Sequence, residues 1–377
     1  MFCFAGRSCG ARQKRIHPEG PQKMKIPSVR PVIAKLTGYV PGEQPKWNRI
    51  VKLNTNENPY PPTPRLKHVL TDSAIEKLRL YPDPVAQALR EEIAAFHGVS
   101  PEQVIAANGS DDVLTILARC FLDETHPLAM PVPTYSLYRT LAELQNAPVI
   151  AVPLKKEDNF AFPEDFAQRI QGASIVMIAR PNAPTGNSYP LELMEKLCSE
   201  FSGAVLFDEA YADFADDNCD AFLKKHPNVI VSRTFSKSRS LAGVRFGYAL
   251  ARPEIIAEMM KVKDSYNVNA LTQLFALESF RDKEYLAETS AKVRATRDEY
   301  RVKLESLGFR VIPSQTNFLF AAPPNRDGRG FFEFLRTKQI LVRYFPGEMT
   351  GEFVRITIGL PEDMAFLLEC AEEFCKK

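Results

Sequence analysis

No segment of the chain approaches the roughly 20 consecutive apolar residues of a membrane-spanning helix, so a helical membrane protein is excluded. Neither sign of charge dominates. The 48 lysines and arginines stand against 46 aspartates and glutamates, a net charge of +2, and no long run of either sign breaks the mixture. A nucleic-acid or membrane-surface partner therefore gets no support from charge. The seven cysteines are scattered and odd in number, with no C-x-x-C spacing, so neither a disulfide framework nor a metal site is indicated and a reducing cytoplasm is expected. No internal repeat or low-complexity tract is present. The opening MFCFAGRSCGARQKRIHPEGPQ is basic and has no apolar stretch followed by a small-residue cleavage site, which argues against a secretory signal. Residues 1–23 are expected to be a disordered or mis-started extension, with the functional chain opening near Met24.

What is there is the make-up of an ordinary globular protein. The 377 residues, 45% hydrophobic and 25% charged, are enough for a large domain and a smaller one. From about residue 100, short β-branched runs alternate with helical patterns: Val104 to Ala107, Ser174 to Ala179, Ala204 to Asp208 and Val229 to Thr234. They are apolar almost throughout, the form of a mainly parallel sheet covered by helices on both faces. After about residue 265 come longer helices, Leu271 to Phe280 and Lys283 to Leu307, and alternating strands such as Phe353 to Ile358. The expected organisation is an N-terminal arm over 24–52, a large α/β domain over 53–265 and a small α+β domain over 266–377 that the arm joins.

Four of those runs end in polar clusters, and in open α/β sheets a ligand sits outside the carboxyl ends of the strands. The first runs into Asn108-Gly109-Ser110-Asp111-Asp112 and a helical pattern, which offers a helix N-terminus as a phosphate seat. The second leads into Arg180-Pro181-Asn182-Ala183-Pro184, which leaves the Asn182 amide at a strand end. Asp208 closes the third, with Tyr211 three positions later, and the fourth leads into Phe235-Ser236-Lys237-Ser238, with Arg245 eight positions beyond the lysine. Singly each has an ordinary structural reading: an N-cap, a proline turn, a capping aspartate, a solvated lysine. In order and at successive strand ends they point to a phosphate-bearing cofactor with an aldehyde and a ring nitrogen, pyridoxal 5'-phosphate. Lys237 is the amine for the aldehyde, Asp208 the acid that keeps the pyridine nitrogen protonated, and Asn182 and Tyr211 the donors to the ring oxygen. Gly109, Ser110, Asp111, Ser236 and Arg245 form the phosphate seat. Lys237, once freed, is the natural base for the substrate Cα proton.

With these residues the chain resembles the fold-type I pyridoxal-phosphate-dependent aminotransferases, and within them the branch that acts on histidinol phosphate. The likeness runs from about Val32 to the C-terminus through Tyr39-Val40-Pro41-Gly42, LNTNENPYPP (Leu53 to Pro62), RLYPDP (Arg79 to Pro84), ANGSDD, PTYSLY (Pro133 to Tyr138), RPNAPTG, FDEAYADF, FSKSRSLAGVRFGY, QTNFLF (Gln315 to Phe320), LVR (Leu341 to Arg343) and VRITIG (Val354 to Gly359). The resemblance implies a seven-stranded, mainly parallel sheet flanked by helices in the large domain. It implies that Tyr135 stacks on the cofactor ring and that Tyr81 reaches the cofactor phosphate of a neighbouring subunit, which makes a homodimer with shared sites. Arg343 and Arg355 are implied to hold the substrate anion, with Tyr39 and Asn56 in the same pocket. The implied reaction moves an amino group between L-glutamate and imidazole acetol phosphate, giving histidinol phosphate and 2-oxoglutarate for histidine synthesis.

Two other readings need the same cofactor residues: an aromatic or broad-specificity aminotransferase, and a pyridoxal-phosphate-dependent amino-acid phosphate decarboxylase. A regulator carrying such a domain would need a helix-turn-helix module, and the residues before the arm are too few and too rich in proline and glycine. The sequence departs from the branch's pattern at Ser238-Arg239-Ser240, where a small residue and an aromatic one are usual, so Arg239 bears on substrate choice.

Overall fold

The computed structural model describes residues 29–36 and 50–376. The 1–23 extension, Tyr39 and most of the 24–52 arm lie outside the described residues. The chain divides after Lys35, and in the first unit the helix Pro31–Lys35 is the one described element.

Among the described residues, the second unit has thirteen strands: β1 (Val51–Lys52), β2 (Val104–Ala107), β3 (Leu128–Val132), β4 (Val149–Pro153), β5 (Ile175–Ala179), β6 (Ala204–Asp208), β7 (Val229–Thr234), β8 (Gly247–Leu250), β9 (Arg310–Ile312), β10 (Phe318–Ala322), β11 (Ile340–Leu341), β12 (Arg343–Tyr344) and β13 (Val354–Thr357). Seven of them form one sheet in the order β2-β8-β7-β6-β5-β3-β4. The pairs from β4 to β7 are parallel, whereas β8 is antiparallel to both β2 and β7. The fold is therefore the expected α/β arrangement with a mainly parallel sheet. Its central strands are apolar throughout because both faces are covered. Val176, Ile178, Val205 and Phe207 belong to the core on one side, and Ile175, Met177, Leu206 and Ile230 to the core on the other.

Three strands of this sheet have no counterpart in the sequence reading: β4 at the sheet edge, and two whose sequences disguise them. One is β3, LAMPV, in which Pro131 argues against a central strand. The structure accommodates it because pairing with β5 covers only Leu128 and Ala129, so the missing Pro131 N–H is not required there. The other is β8, whose polar and glycine-rich lead RFGY hides a four-residue buried strand.

Because β8 reverses twice, β2 runs with β7, and the carboxyl ends of β2, β3, β5, β6 and β7 share one edge. The expected helices are present as Ala270–Arg281 and Lys283–Ser306. Beyond them a four-stranded antiparallel sheet, β12-β13-β10-β9, shares through Leu319, Ala321 and Ile356 one apolar cluster with Val293 and Leu304 of the long helix and Met364 and Leu367 of the last one, Pro361–Cys375. Each such apolar side chain contributes about 1.5–3 kcal/mol on burial. β1 pairs in parallel with β11 and so carries the LNTNENPYPP segment against this second sheet.

Candidate active site

The clusters at the strand ends meet in one cleft, a cavity of about 170 Å³ lined by Ser110, Asp111, Tyr135, Asp208, Tyr211, Ser236, Lys237 and Arg245 from the large sheet and by Asn56, Arg343 and Arg355 from the other side. β6 delivers Asp208 to the floor, 4% exposed. Tyr138 Oη donates to its Oδ2 at 2.8 Å and Ser232 Oγ to its Oδ1 at 3.3 Å. Burial pushes this carboxyl up to about 6 against those hydrogen bonds, and Asp111 nearby adds to the rise. A carboxylate held in an apolar floor with its charge only partly compensated is suited to a cationic ring nitrogen.

Lys237 leaves β7 three residues after its end, and its Nζ donates to the Thr55 carbonyl at 3.3 Å. Burial, and next the Arg355 guanidinium, pull its ammonium down to about 8. The neutral amine that a nucleophile or base requires is therefore far more populated near physiological pH than in an ordinary lysine, though the ammonium still predominates below pH 8. Tyr211 stands beside it, with the ring centroid 5.8 Å from Lys237 Nζ. The Tyr211 hydroxyl accepts from Asn56 Nδ2 at 2.7 Å. Asn56 is itself fixed: its N–H donates to Thr357 Oγ1, Thr357 Oγ1 donates to its Oδ1, and Asn317 Nδ2 donates to its carbonyl.

At the end of β2, Gly109 takes φ +84°, from which the helix Ser110–Phe121 starts. Arg245, on the segment between β7 and β8, reaches across to Ser236 Oγ at 3.0 Å and to Asp111 Oδ2 at 3.3 Å. The seat depends on close backbone contact: a Cβ on Gly247 would lie 2.4 Å from Ser110 N, and one on Gly109 2.7 Å from Arg245 Nη2. Asn56 and Arg245 hold positive φ values of 55° and 61°, conformations that cost non-glycine residues about 1–3 kcal/mol and cluster at functional sites. Asp111 ties this seat to the ring wall, because Tyr135 Oη donates to its Oδ1 at 3.1 Å.

Among the described residues, Asn182, Tyr81 and Arg239 fall elsewhere. Asn182 is fully buried and does not line the cavity: its Oδ1 accepts from Thr134 Oγ1, and its Nδ2 donates to the Pro133 carbonyl and to Thr185 Oγ1. Both amide hydrogens are engaged, so the residue shapes the loop after β5 instead of facing the cleft. Tyr81 is 81% exposed, stacks on Tyr266 with centroids 4.6 Å apart, and is not part of the cavity wall. Tyr39 lies outside the described residues. Arg239 is buried, with its guanidinium between the Phe235 and Phe280 rings at 4.9 and 4.7 Å and donating to the Ser279 carbonyl. It takes no part in the cleft.

Sequence reasoning missed Tyr138, Thr357 and Gly247. Tyr138 was within reach, since it follows Tyr135 by three positions and so shares a helical face with it. Thr357 follows Arg355 on the same strand face. Nothing local marks Gly247, whose requirement arises from the backbone of a strand distant in sequence.

Residues 48–369 match the family model for class I and II aminotransferases. The histidinol-phosphate aminotransferase of Syntrophotalea carbinolica is 43% identical over 337 residues, 89% of this chain and 96% of that protein. That of Geobacter sulfurreducens is 42% identical over 350 residues, covering 90% and 97%. Among solved structures, the histidinol-phosphate aminotransferase of Sinorhizobium meliloti in complex with pyridoxal-5'-phosphate superposes with a TM-score of 0.84 at 23% identity, over 94% of this chain and 99% of that one.

Proposed function

The chain belongs to the class I and II aminotransferases, and from that premise we propose that it transfers an amino group between L-glutamate and imidazole acetol phosphate, using pyridoxal 5'-phosphate. The convergence of Lys237, Asp208, Tyr211, Arg245, Arg343 and Arg355 on one cavity carries the reading. The relatives above, at 41–43% identity over about nine-tenths of the chain, support the substrate.

The residues present fit the cofactor. Asp208 would hold the ring nitrogen, Tyr211 the ring oxygen, Tyr135 a ring face, and Ser110, Ser236 and Arg245 the phosphate. The cleft glycines leave room for a dianion beside the backbone. Asn182, proposed with Tyr211 for the ring oxygen, has both amide hydrogens engaged in the loop after β5. Bound there, the cofactor supplies an aldehyde that takes up the amino group and a protonated ring that withdraws electrons as the substrate Cα loses its proton.

The protein's own groups do the rest. Lys237 Nζ, about half neutral near pH 8, would hold the cofactor and then carry the proton removed from Cα. The Asp208 carboxylate stabilises positive charge on the ring and Tyr138 stabilises that carboxylate. Arg343 and Arg355, paired in register across β12 and β13, offer planar forks that suit a carboxylate and a phosphate alike, so one subsite serves both half-reactions. Arg355 shares its strand face with Thr357, which fixes Asn56, so the anion subsite and the Tyr211 hydroxyl are set by one strand.

The working form is a homodimer in which Tyr81 completes the partner's phosphate seat; the exposed ring, outside its own cavity, supports this. The scattered cysteines support a cytoplasmic location; among the described residues no helix is long and apolar enough to cross a membrane. The pairing of β1 with β11 supports grouping the end of the arm, Val51 and Lys52, with the 266–377 domain.

The test is kcat/KM for histidinol phosphate, phenylalanine and tyrosine with 2-oxoglutarate as acceptor. A dianion gains about 1–3 kcal/mol over a carboxylate in charge-assisted bonds, so histidinol phosphate should lead by about ten- to a hundredfold. Arg355→Ala should shrink that lead. Equal use of the aromatic amino acids would move the assignment to an aromatic aminotransferase, and carbon dioxide release from an amino-acid phosphate to a decarboxylase.

A further inference from the structure

A second cavity of about 310 Å³ adjoins the first and shares Tyr135, Ala183, Arg343 and Arg355 with it. One wall is apolar, made by Val132, Pro133, Phe345 and Pro346, and no aspartate or glutamate lines it. Its remaining charged residue is Arg139, the third residue of the helix Leu137–Leu144. Arg139 is exposed and makes no hydrogen bond or ion pair among the described residues. An unpaired guanidinium at the rim of a cavity that already holds two others raises the local positive potential, which is unfavourable unless an anion visits.

The two substrates of the proposed reaction share one anionic group, carboxylate or phosphate, and differ in the rest. Glutamate has a second carboxylate where histidinol phosphate has a flat imidazole. Arg343 and Arg355 answer the shared anion. The second cavity offers the apolar wall for the ring and Arg139 for the carboxylate.

We propose that Arg139 is a specificity-determining residue that pairs with the second carboxylate of a dicarboxylate amino donor and its oxo product. This deepens the proposed function and rests on it. When a ring occupies the cavity instead, the long exposed side chain turns to solvent at little cost. Arg139 then contributes to one half-reaction and not to the other, a selectivity that no purely structural arginine would show.

The experiment measures each half-reaction separately in wild type, Arg139→Gln and Arg139→Lys, by the absorbance change of the bound cofactor in single turnovers. Arg139→Gln is expected to lose about tenfold in kcat/KM for glutamate and 2-oxoglutarate, the size of one charge-assisted bond at a partly solvated site. Histidinol phosphate, and 2-aminobutyrate, which has no second carboxylate, should change less than about twofold on the same reasoning, and Arg139→Lys should recover part of the loss. As a readout without turnover, the dissociation constant of glutarate, measured by equilibrium binding, should rise while that of butyrate stays. Equal losses for all substrates, or no loss for glutamate, would overturn the proposal. Failure of wild type to use histidinol phosphate would instead overturn the proposed function, while the glutamate comparison would still score Arg139.

Discussion

Tyr138 Oη donates a 2.8 Å hydrogen bond to Asp208 Oδ2, joining a fully buried phenol on the helix Leu137–Leu144 to the acid at the end of β6. This bond holds the carboxylate ionised where burial opposes it. The Asp208 carboxyl lies at about 6 in the folded protein against an ordinary 3.8, so the native state binds its proton more tightly than the unfolded chain. The resulting stability is fully present below about pH 4 and is lost as pH rises through about 6, an effect of ~3 kcal/mol for a shift of about two units. Cofactor-free Asp208→Asn should therefore melt above wild type at pH 8, with the advantage shrinking toward pH 5, while its kcat collapses. Tyr138→Phe should do the opposite, losing more stability at pH 8 than at pH 5. Thermal melts at the two pH values decide; a pH-independent offset for both variants would show that Asp208 titrates normally.

Lys237→Ala is expected to abolish covalent retention of the cofactor after borohydride treatment and nearly all turnover, since no other amine lines the cleft. The Arg355 guanidinium helps to depress the Lys237 ammonium, so Arg355→Gln should raise its pKa above about 8. The rate at which apoprotein attaches cofactor, followed against pH, should then show its midpoint displaced to higher pH. An unmoved midpoint would mean that burial alone sets the lysine.

Gly247→Ala places a Cβ 2.4 Å from Ser110 N and 2.6 Å from the Gly109 carbonyl carbon. The start of the phosphate-seat helix must move, at about 1–3 kcal/mol by analogy with overpacked cores. A lower melting temperature and a roughly tenfold weaker hold on the cofactor are expected on that figure. Gly243, with nothing within 4 Å of an added Cβ, serves as control, and Gly243→Ala should leave both quantities alone.

Tyr81 is proposed to act across a dimer and Lys237 within its own subunit. Mixing Tyr81→Ala and Lys237→Ala subunits should regenerate hybrids with one intact site and measurable turnover. Absence of recovery after verified subunit exchange would leave Tyr81 as a surface partner of Tyr266.

The sequence by itself determined the parallel sheet and the strand ends that carry the chemistry. An unbroken apolar run such as Val229 to Thr234 is stable only when covered on both faces, and a polar cluster directly after it must then lie at the sheet edge. Asp208, Lys237 and Arg245 were legible for that reason, through spacing along a single segment. Their protonation was not. Burial raises Asp208 against the Tyr138 hydrogen bond and lowers Lys237 with the help of Arg355, and both partners come from other elements.

Tertiary structure also decided the direction of each side chain. Asn182 sits at a strand end as expected, yet its amide turns to Thr134, Pro133 and Thr185, because the loop after β5 offers it three partners that the sequence does not place together. Arg239 reads locally as a loop cation, but the Phe235 and Phe280 rings enclose it. Only the fold brings Arg139 to the same cavity as Arg343 and Arg355, since they are separated by about two hundred residues of chain and side-chain direction in space has no local code.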